Sequence, residues 1–445
     1  MLKFAFVAML FLSLFPIALL IRQYAWLTRL FWLSFGALPF LLSSAPFLDV
    51  GIASWEDWHG FVSGIEVTVI DLLALIALFI LPAHRTPVIY FLPFALYIAV
   101  GVGSAIAAPE PLAAIFALWQ FGRMLLIMAV VARACAFRDV PDLILKGMVL
   151  GLLANFLAVL WQRFGLDLAQ NTGLFIHQNT LGMAIHFVLL PHVIMLLAGT
   201  KRLTYLGPTI LLSLLTIIFT ASRGSVGSAA IGMATAFGFS AMQGVTQRKV
   251  ASIGAALVVV ALAAPVVVAT FEKRFERAPL NEEAYDERAA FNRVSAYILE
   301  DFPMGIGLNH YVYAAQNFGY SDRGGVLPFE ANRRAIVHNA YLLAAAETGY
   351  LGLAAFILVL ITPLAVGLRT GIRIKNRRDS AILIGCVLAL IIVYLHSVLE
   401  WIIYSKEIQY MMVITMGIIF GVSSKYLRSA NRKIPLENDL ARKII

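Results

Sequence analysis

Runs of about 20 apolar residues, separated by short polar connections, recur along the whole chain. A helical run of this length crosses a hydrocarbon layer ~30 Å thick. The predicted fold class is therefore all-α, a polytopic transmembrane helical bundle of about 12–13 spans. The predicted helices lie near 2–21, 27–47, 65–83, 87–107, 113–132, 143–162, 179–199, 204–220, 225–243, 250–270, 340–368, 380–401 and 406–424.

One long hydrophilic segment interrupts this pattern and divides the chain. Loops longer than ~12–15 residues are usually functional or disordered. The predicted organisation is an N-terminal transmembrane bundle over 1–270, an external loop over 271–337, C-terminal transmembrane helices over 338–424 and a basic cytoplasmic tail over 425–445. The external loop is thus the first place to look for chemistry.

The external loop contains its own amphipathic pattern. Apolar residues recur there at spacings near 3 and 4, which predicts a helix over 287–300 that could lie at the membrane surface. The apolar positions are Ala289, Phe291, Val294 and Ile298, and Pro303 and Gly305 follow the helix. Arg288 lies near one edge of this apolar stripe, and Arg293 points farther from it.

Composition excludes a soluble enzyme. The set AVILMFWYC makes up 61% of the chain and charged residues only 13%, against about 25% charged in soluble domains. The net charge of +9 comes from basic residues that mostly lie between spans, which argues against a nucleic-acid partner. Cys135 and Cys386 are the only cysteines and lie in or beside apolar runs, so neither a disulfide framework nor a CxxC metal site is expected.

Lysine and arginine in the connections predict the orientation. The positive-inside rule places four basic clusters in the cytoplasm: Lys201 and Arg202; Arg248 and Lys249; the group from Arg369 to Arg378; and the tail from Lys425 to Lys433. The external loop then lies outside. The side of the N-terminus depends on whether the number of spans is odd or even, and it stays open. The first apolar run follows Lys3. It is interpreted as a retained span rather than a signal peptide, because no cleavage site of small residues follows it.

Two ionisable residues enter the apolar helix that follows the external loop. His338 lies at its external end, where a neutral imidazole suits a general base. Glu347 lies nine residues further on and about 180° round a continuous helix, so its expected role is structural, a buried acid that holds neighbouring spans together. Gly349 and Gly352 are expected to permit close helix packing.

Two arginines lie within or beside predicted spans. Arg223 falls where one span ends outside and the next begins, so it either pairs with a protein carboxylate or binds an anionic ligand such as phosphate. Arg123 is a similar case, and Asp71 or Glu66 could neutralise it. This pairing of Arg123 with a carboxylate of another span is interpreted as structural.

A polar segment, 173–182, opens another span on the external side. Asn179 is expected to cap that helix. His177 and Gln178 either contact a polar substrate or satisfy the start of the helix. No cluster in the sequence has a convincing metal-ligand spacing, and neither a P-loop nor a GxSxG elbow is present.

Together these segments resemble the O-antigen ligase and polymerase superfamily of bacterial envelopes. The resemblance rests on the step Ser222-Arg223-Gly224, on Arg288 followed by Phe302-Pro303-Met304-Gly305-Ile306-Gly307, and above all on the stretch from His338-Asn339-Ala340-Tyr341-Leu342 to Glu347-Thr348-Gly349 and Gly352-Leu353. The span-opening segment 173–182 is also similar. The resemblance covers roughly residues 170–360.

This resemblance implies a multi-pass glycosyltransferase of the bacterial inner membrane with its active site facing the periplasm. The donor would be a glycan on undecaprenyl diphosphate, and the acceptor either the lipid A core or a second lipid-linked glycan. No metal or other cofactor is implied. Arg223 and Arg288 would handle the diphosphate, and His338 would lie next to the acceptor.

Further substrate contacts are expected from Arg293, Asn179, Asn339 and Tyr341. Relatives commonly have a tryptophan near Asn292, which this chain lacks, so the choice of Arg288 over Arg293 stays open.

The chemistry of the residues agrees with this function. Positioned arginines stabilise the negative charge that develops on a leaving diphosphate, and a base assists deprotonation of a sugar hydroxyl. A transporter or flippase for the same lipid-linked glycans is the alternative, since it would also need arginines in the membrane. Transporters often show internal repeats with broken helices, and no such symmetry is visible in the sequence.

Overall fold

The computed structural model describes residues 2–82, 86–277 and 286–431. Part of the external loop and most of the predicted basic tail, 432–445, lie outside these described residues. Within the described ranges, the part of the chain up to Leu160 contains six α-helices and a β-hairpin: α1 (Leu2–Gln23), α2 (Ala25–Ala37), β1 (Asp49–Ser54), β2 (Gly64–Thr68), α3 (Val69–Ile80), α4 (Leu92–Ala107), α5 (Pro111–Ala134) and α6 (Val140–Leu160).

Longer helices follow, with a group of short ones between them. The next four are α7 (Gln178–Ala198), α8 (Leu203–Phe219), α9 (Arg223–Met242) and α10 (Gln247–Arg277). The external loop holds α11 (Glu287–Asp301), α12 (Tyr311–Asn317), α13 (Tyr320–Gly324) and α14 (Glu330–Arg333). The chain then forms α15 (Ala340–Arg373), α16 (Arg377–His396) and α17 (Lys406–Asn431).

The protein is an all-α, multi-pass helical bundle, as the apolar pattern predicted. Each of the thirteen predicted windows contains a helix in the described part of the chain. Seven helices there are both long and apolar enough to cross a membrane: Pro111–Ala134, Val140–Gly165, Gln178–Ala198, Arg223–Met242, Ala340–Arg373, Arg377–His396 and Lys406–Leu427. Shorter apolar helices accompany them, and the count of 12–13 spans stays a prediction.

Helix ends differ from the prediction where proline or a hairpin intervenes. The helix predicted over 27–47 ends at Ala37, because Pro39 and Pro46 support only short 3₁₀ turns beyond it. The helix predicted over 65–83 begins at Val69, since 64–68 pairs with β1 as an antiparallel strand. Likewise α16 ends at His396 rather than near 401. That early end places the residues after His396 in a connection, not in a span.

Three helices form the centre of the bundle. The apolar windows of α7, α16 and α17 are 89%, 83% and 83% buried inside the protein, whereas that of α9 is only 28% buried. α7 packs on α16, and α17 packs on α5. The polar ends of the central helices are therefore held in a fixed arrangement by the packing of their apolar bodies.

The external loop folds back onto the bundle. The predicted helix over 287–300 is confirmed as α11, and its buried residues include Phe291, Val294 and Ile298. Ala290, rather than Ala289, completes the buried face. α11 packs against α13 and α15, so its apolar face is covered by protein.

A break in α15 receives the loop segment that follows α11. Gly349 has φ +68°, and a Cβ there would lie 2.4 Å from the backbone of Pro303 and Met304. The amide of Tyr350 donates to the carbonyl of Pro303 at 3.1 Å, and the amide of Ile306 donates to that of Ala346 at 3.0 Å. Gly349 thus permits a close approach of loop backbone, not the helix packing that was expected of it.

Candidate active site

A single buried carboxylate connects three of the predicted residues. Glu400, in the connection between α16 and α17, is only 4% exposed. Its Oε1 accepts from Asn179 Nδ2 at 2.7 Å and from Arg288 Nη2 at 3.2 Å. Its Oε2 lies 3.1 Å from His338 Nδ1. Segments that are far apart in the sequence therefore meet at one side chain.

The partners of Glu400 determine its charge. Burial by itself would raise the pKa of this carboxyl, but other interactions, among them the hydrogen bond with His338 and the positive charge of Arg288, outweigh burial, and the net pKa is lower than usual. Glu400 is therefore an anion at neutral pH. An anion in this position attracts the guanidinium and orients the imidazole.

His338 is held at the start of α15 by its neighbours. The side chain of Asn339 caps the helix by accepting from the amides of Tyr341 and Leu342. The amide of Ala340 donates to the carbonyl of Ser397 at 3.0 Å, which joins this helix start to the connection that carries Glu400. With Nδ1 facing the carboxylate, the hydrogen-bond network assigns the proton to Nδ1, and Nε2 is left as the acceptor.

The two loop arginines have different contacts. The side chain of Arg288 is 53% exposed and places one of its five N–H groups on Glu400. Arg293 instead donates from Nε to the carbonyl of Gly324 at 3.0 Å, so it joins α11 to α13. Of the two, Arg288 is the one that contacts the Glu400 cluster.

The cap predicted for α7 is wrong. His177 is the N-cap residue, since its Nδ1 accepts from the amide of Asn179 at 3.2 Å, and the helix begins at Gln178. The side chain of Asn179 therefore does not cap the helix and points to Glu400. Of the two interpretations of His177, this hydrogen bond agrees with the one in which its side chain satisfies the start of the helix.

Arg223 begins α9 at the same end of the bundle. Ser222 caps this helix by accepting from the amide of Ser225, and the Arg223 side chain is exposed. A Cβ on Gly224 would lie 2.9 Å from His396 Nε2, so the start of α9 approaches the end of α16, four residues before Glu400. A guanidinium and helix-start amides are therefore presented next to the Glu400 cluster.

Two other predicted contact residues already have partners within the protein. The Asn339 side chain forms the α15 cap described above. The hydroxyl of Tyr341 donates to the carbonyl of Tyr394 at 2.9 Å, which ties α15 to α16. These bonds fix the helix start that carries His338.

Glu347 holds the external loop, not a neighbouring span. Its carboxylate accepts from the amides of Asn309 at 2.8 Å and Tyr311 at 3.1 Å. These amides lie at the start of α12, where a helix presents unpaired N–H groups. The structural role expected of Glu347 is observed, with a different partner from the one predicted.

The structural pairing predicted for Arg123 is confirmed. Its guanidinium lies 2.8 Å from Asp71 and 3.4 Å from Glu66. Tyr410 completes this buried cluster with a hydroxyl 3.0 Å from Asp71. In the part of the chain that the structure describes, no three His, Cys, Asp or Glu side chains come together in a way that could hold a metal ion.

Glu400 is the residue that sequence reasoning missed. The pattern placed it inside the predicted span 380–401, where it had no assigned role. A signal was present, because a carboxylate in the apolar run Val398-Leu399-Glu400-Trp401-Ile402 is costly unless it has a partner. That partner is identifiable only once α16 is seen to end at His396.

The fold and this cluster define a multi-pass membrane protein whose polar site is built from helix starts and one external loop. Residues 208–357, roughly a third of the chain, match the family model Wzy_C, described as O-antigen ligase. This match confirms the resemblance to the O-antigen ligase and polymerase superfamily over that segment. No curated protein matches the chain.

Proposed function

We propose that this protein transfers a glycan from a polyprenyl diphosphate carrier to an acceptor sugar on the periplasmic side of the inner membrane. The observation that carries the proposal is the Glu400 cluster, in which an arginine of the external loop and the histidine that directly follows the loop share one carboxylate. The segment that matches the O-antigen ligase family model, 208–357, includes Arg223, Arg288 and His338 and supports the same chemistry.

In this proposal the arginines bind the donor diphosphate. Displacement at the anomeric carbon breaks its bond to the diphosphate oxygen, and negative charge develops on that leaving group. Arg223 and Arg288, both exposed, supply planar donors that match phosphate oxygens in a bidentate manner. Their N–H groups stabilise that charge without a metal.

His338 is the proposed base. Its Nε2 accepts the proton of the attacking hydroxyl while the new oxygen to carbon bond forms, and Glu400 stabilises the imidazolium that results. Glu400 is thus a positioning residue for His338. Because the attack is a single displacement, the anomeric centre inverts.

Purified protein in nanodiscs, supplied with an undecaprenyl diphosphate glycan and an acceptor, tests the proposal. Arg223→Ala and Arg288→Ala should each nearly abolish transfer while the protein still inserts and purifies, and lysine at either position should restore only part of the rate, since it lacks the planar fork. Activity should persist in excess EDTA. Loss in EDTA with recovery in Mg²⁺ or Mn²⁺ would overturn the metal-free mechanism.

The acceptor is either the lipid A core or a second lipid-linked glycan, and a gene deletion distinguishes these two acceptors. A ligase uses the lipid A core, so its loss leaves polymer on the lipid carrier that is never attached. A polymerase extends a second lipid-linked glycan, so its loss leaves single repeats. Electrophoresis of the surface polysaccharide distinguishes these outcomes, and an unchanged polysaccharide would contradict both.

A further inference from the structure

Two cavities lie side by side at the end of the bundle opposite to the candidate active site. α7 begins beside Asn179 and reaches the cavities at Ala198, and α16 runs in reverse from Arg377 at the cavities to His396. Helices of 20 and 21 residues are ~30 Å long. A whole hydrocarbon thickness therefore separates the cavities from the Glu400 cluster.

The larger cavity is an apolar groove of about 760 Å³ between α8 and α10. Leu203, Gly207, Ile210, Leu211 and Leu214 line one side at helical spacing, and α10 contributes small residues such as Ala251 and Ala255 to the other. Its volume falls within the ~300–1,000 Å³ of small-molecule sites. Leu203 and Leu211 are 64% and 45% exposed, so the groove opens toward the apolar outside of the bundle.

The smaller cavity is polar, has a volume of about 450 Å³ and shares Arg248 with the groove. Five basic residues and no acidic residue line the two cavities together: Lys201, Arg202, Arg248, Lys249 and Arg377. Lys201 pairs with Asp142, and Lys249 donates to backbone carbonyls.

The three arginines have no carboxylate partner among the described residues. Arg248 donates from Nη2 to the backbone carbonyl of Lys201 at 3.3 Å, a bond that does not neutralise its charge. The positive charges of Arg202, Arg248 and Arg377 are therefore not balanced by an ion pair within the described part of the chain.

We propose that the two cavities form one binding site for an anionic phospholipid. The headgroup phosphate lies against Arg248 and Arg377 in the polar cavity, and an acyl chain fills the groove between α8 and α10. Basic pockets between transmembrane helices recognise anionic headgroups in this way. A soluble anion would satisfy the arginines but leave the apolar groove unfilled, so the pairing of the two cavities favours a lipid. The proposal does not depend on the proposed function.

Purified protein in nanodiscs of phosphatidylcholine, with and without phosphatidylglycerol, provides the test. Phosphatidylglycerol should raise the Tm of the wild-type protein and remain bound in native mass spectrometry. Arg248→Ala should weaken this binding about fivefold, the effect of one basic residue near a membrane surface. Arg248→Lys should retain most of it. Lys375→Ala, an exposed residue at the same end that lines neither cavity, is the matched control and should bind as wild type does.

A second variant tests the groove separately from the charge. A Cβ on Gly207, which lines the groove, would meet only Leu203 Cδ1, at 3.7 Å. Gly207→Phe should occupy part of the groove and reduce phosphatidylglycerol binding, and its Tm in phosphatidylcholine alone checks that the fold is retained.

Three results would overturn the proposal. The first is an equal Tm in nanodiscs with and without phosphatidylglycerol, and the second is stabilisation by free glycerol 3-phosphate equal to that by phosphatidylglycerol. The third is a loss of phosphatidylglycerol binding in Lys375→Ala as large as that in Arg248→Ala.

Discussion

Replacing Glu400 with glutamine changes one atom of a buried group and should inactivate the protein. Asn179 and Arg288 both donate to Oε1, so they fix the oxygen of the new amide on their side. The NH₂ group then faces His338 Nδ1 and must donate to it. His338 is forced to carry its proton on Nε2, the atom that has to accept the proton of the sugar hydroxyl.

The expected loss of activity follows from this change in the tautomer of His338. General base catalysis contributes ~10²–10⁴ in rate, and an amide in place of the orienting carboxylate costs ~10⁴ in the serine-protease triad for the same reason. We therefore expect kcat of Glu400→Gln to fall by ~10²–10⁴, or about 3–5.5 kcal/mol. Donor binding should change much less, because Arg288 keeps its charge.

The assay is glycan transfer by purified protein in nanodiscs at saturating donor, read on a gel. Glu407→Gln is the matched control, since Glu407 is 6% exposed and bonded to Ser43, and it should retain wild-type kcat. A folded Glu400→Gln protein with wild-type kcat would refute the positioning role. So would a loss confined to the KM of the donor.

The same carboxylate should make stability depend on pH. Because the folded-state pKa of Glu400 lies below its usual value, its contribution is fully present above the usual value and is lost as the pH falls through the folded pKa. Thermal unfolding below pH 5 should therefore show a smaller acid-induced drop in Tm for Glu400→Gln than for wild type. Equal drops would show that the ion cluster does not stabilise the fold.

Three further predictions concern the loop, the helix break and the orientation. Arg288→Ala should abolish transfer, whereas Arg293→Ala should lower Tm and leave most of the activity; the reverse would exchange their roles. Gly349→Ala should destabilise the protein by about 2–5 kcal/mol, from the positive φ and the clash with loop backbone, and an unchanged Tm would contradict that packing. In a cysteine-free background, single cysteines within 305–335 should react with an impermeant thiol reagent in spheroplasts and those within 373–378 should not; the opposite pattern would place the site in the cytoplasm.

Periodicity was sufficient to predict most of the fold. Apolar runs located every long helix, and the spacing around Phe291 and Val294 located α11, because burial of one face determines both patterns. Periodicity failed to predict the helix boundaries where local sequence features end or delay a helix. Pro39 ends α2 early, and the strand before Val69 delays α3.

The site was only partly predictable. Arg223, Arg288 and His338 stand out because charge is costly beside apolar runs. Their common partner, Glu400, depends on long-range contacts that periodicity does not contain. The same holds for Glu347, whose loop partners are defined only by the break at Gly349.

The most direct test of the proposed mechanism is the separation of catalysis from donor binding in His338→Ala. The purified variant should transfer no measurable glycan, yet bind the undecaprenyl diphosphate donor nearly as wild type does, since the arginines handle the diphosphate. Transfer at a near wild-type rate would contradict the account, and so would a collapse of donor affinity, which would make His338 a phosphate contact.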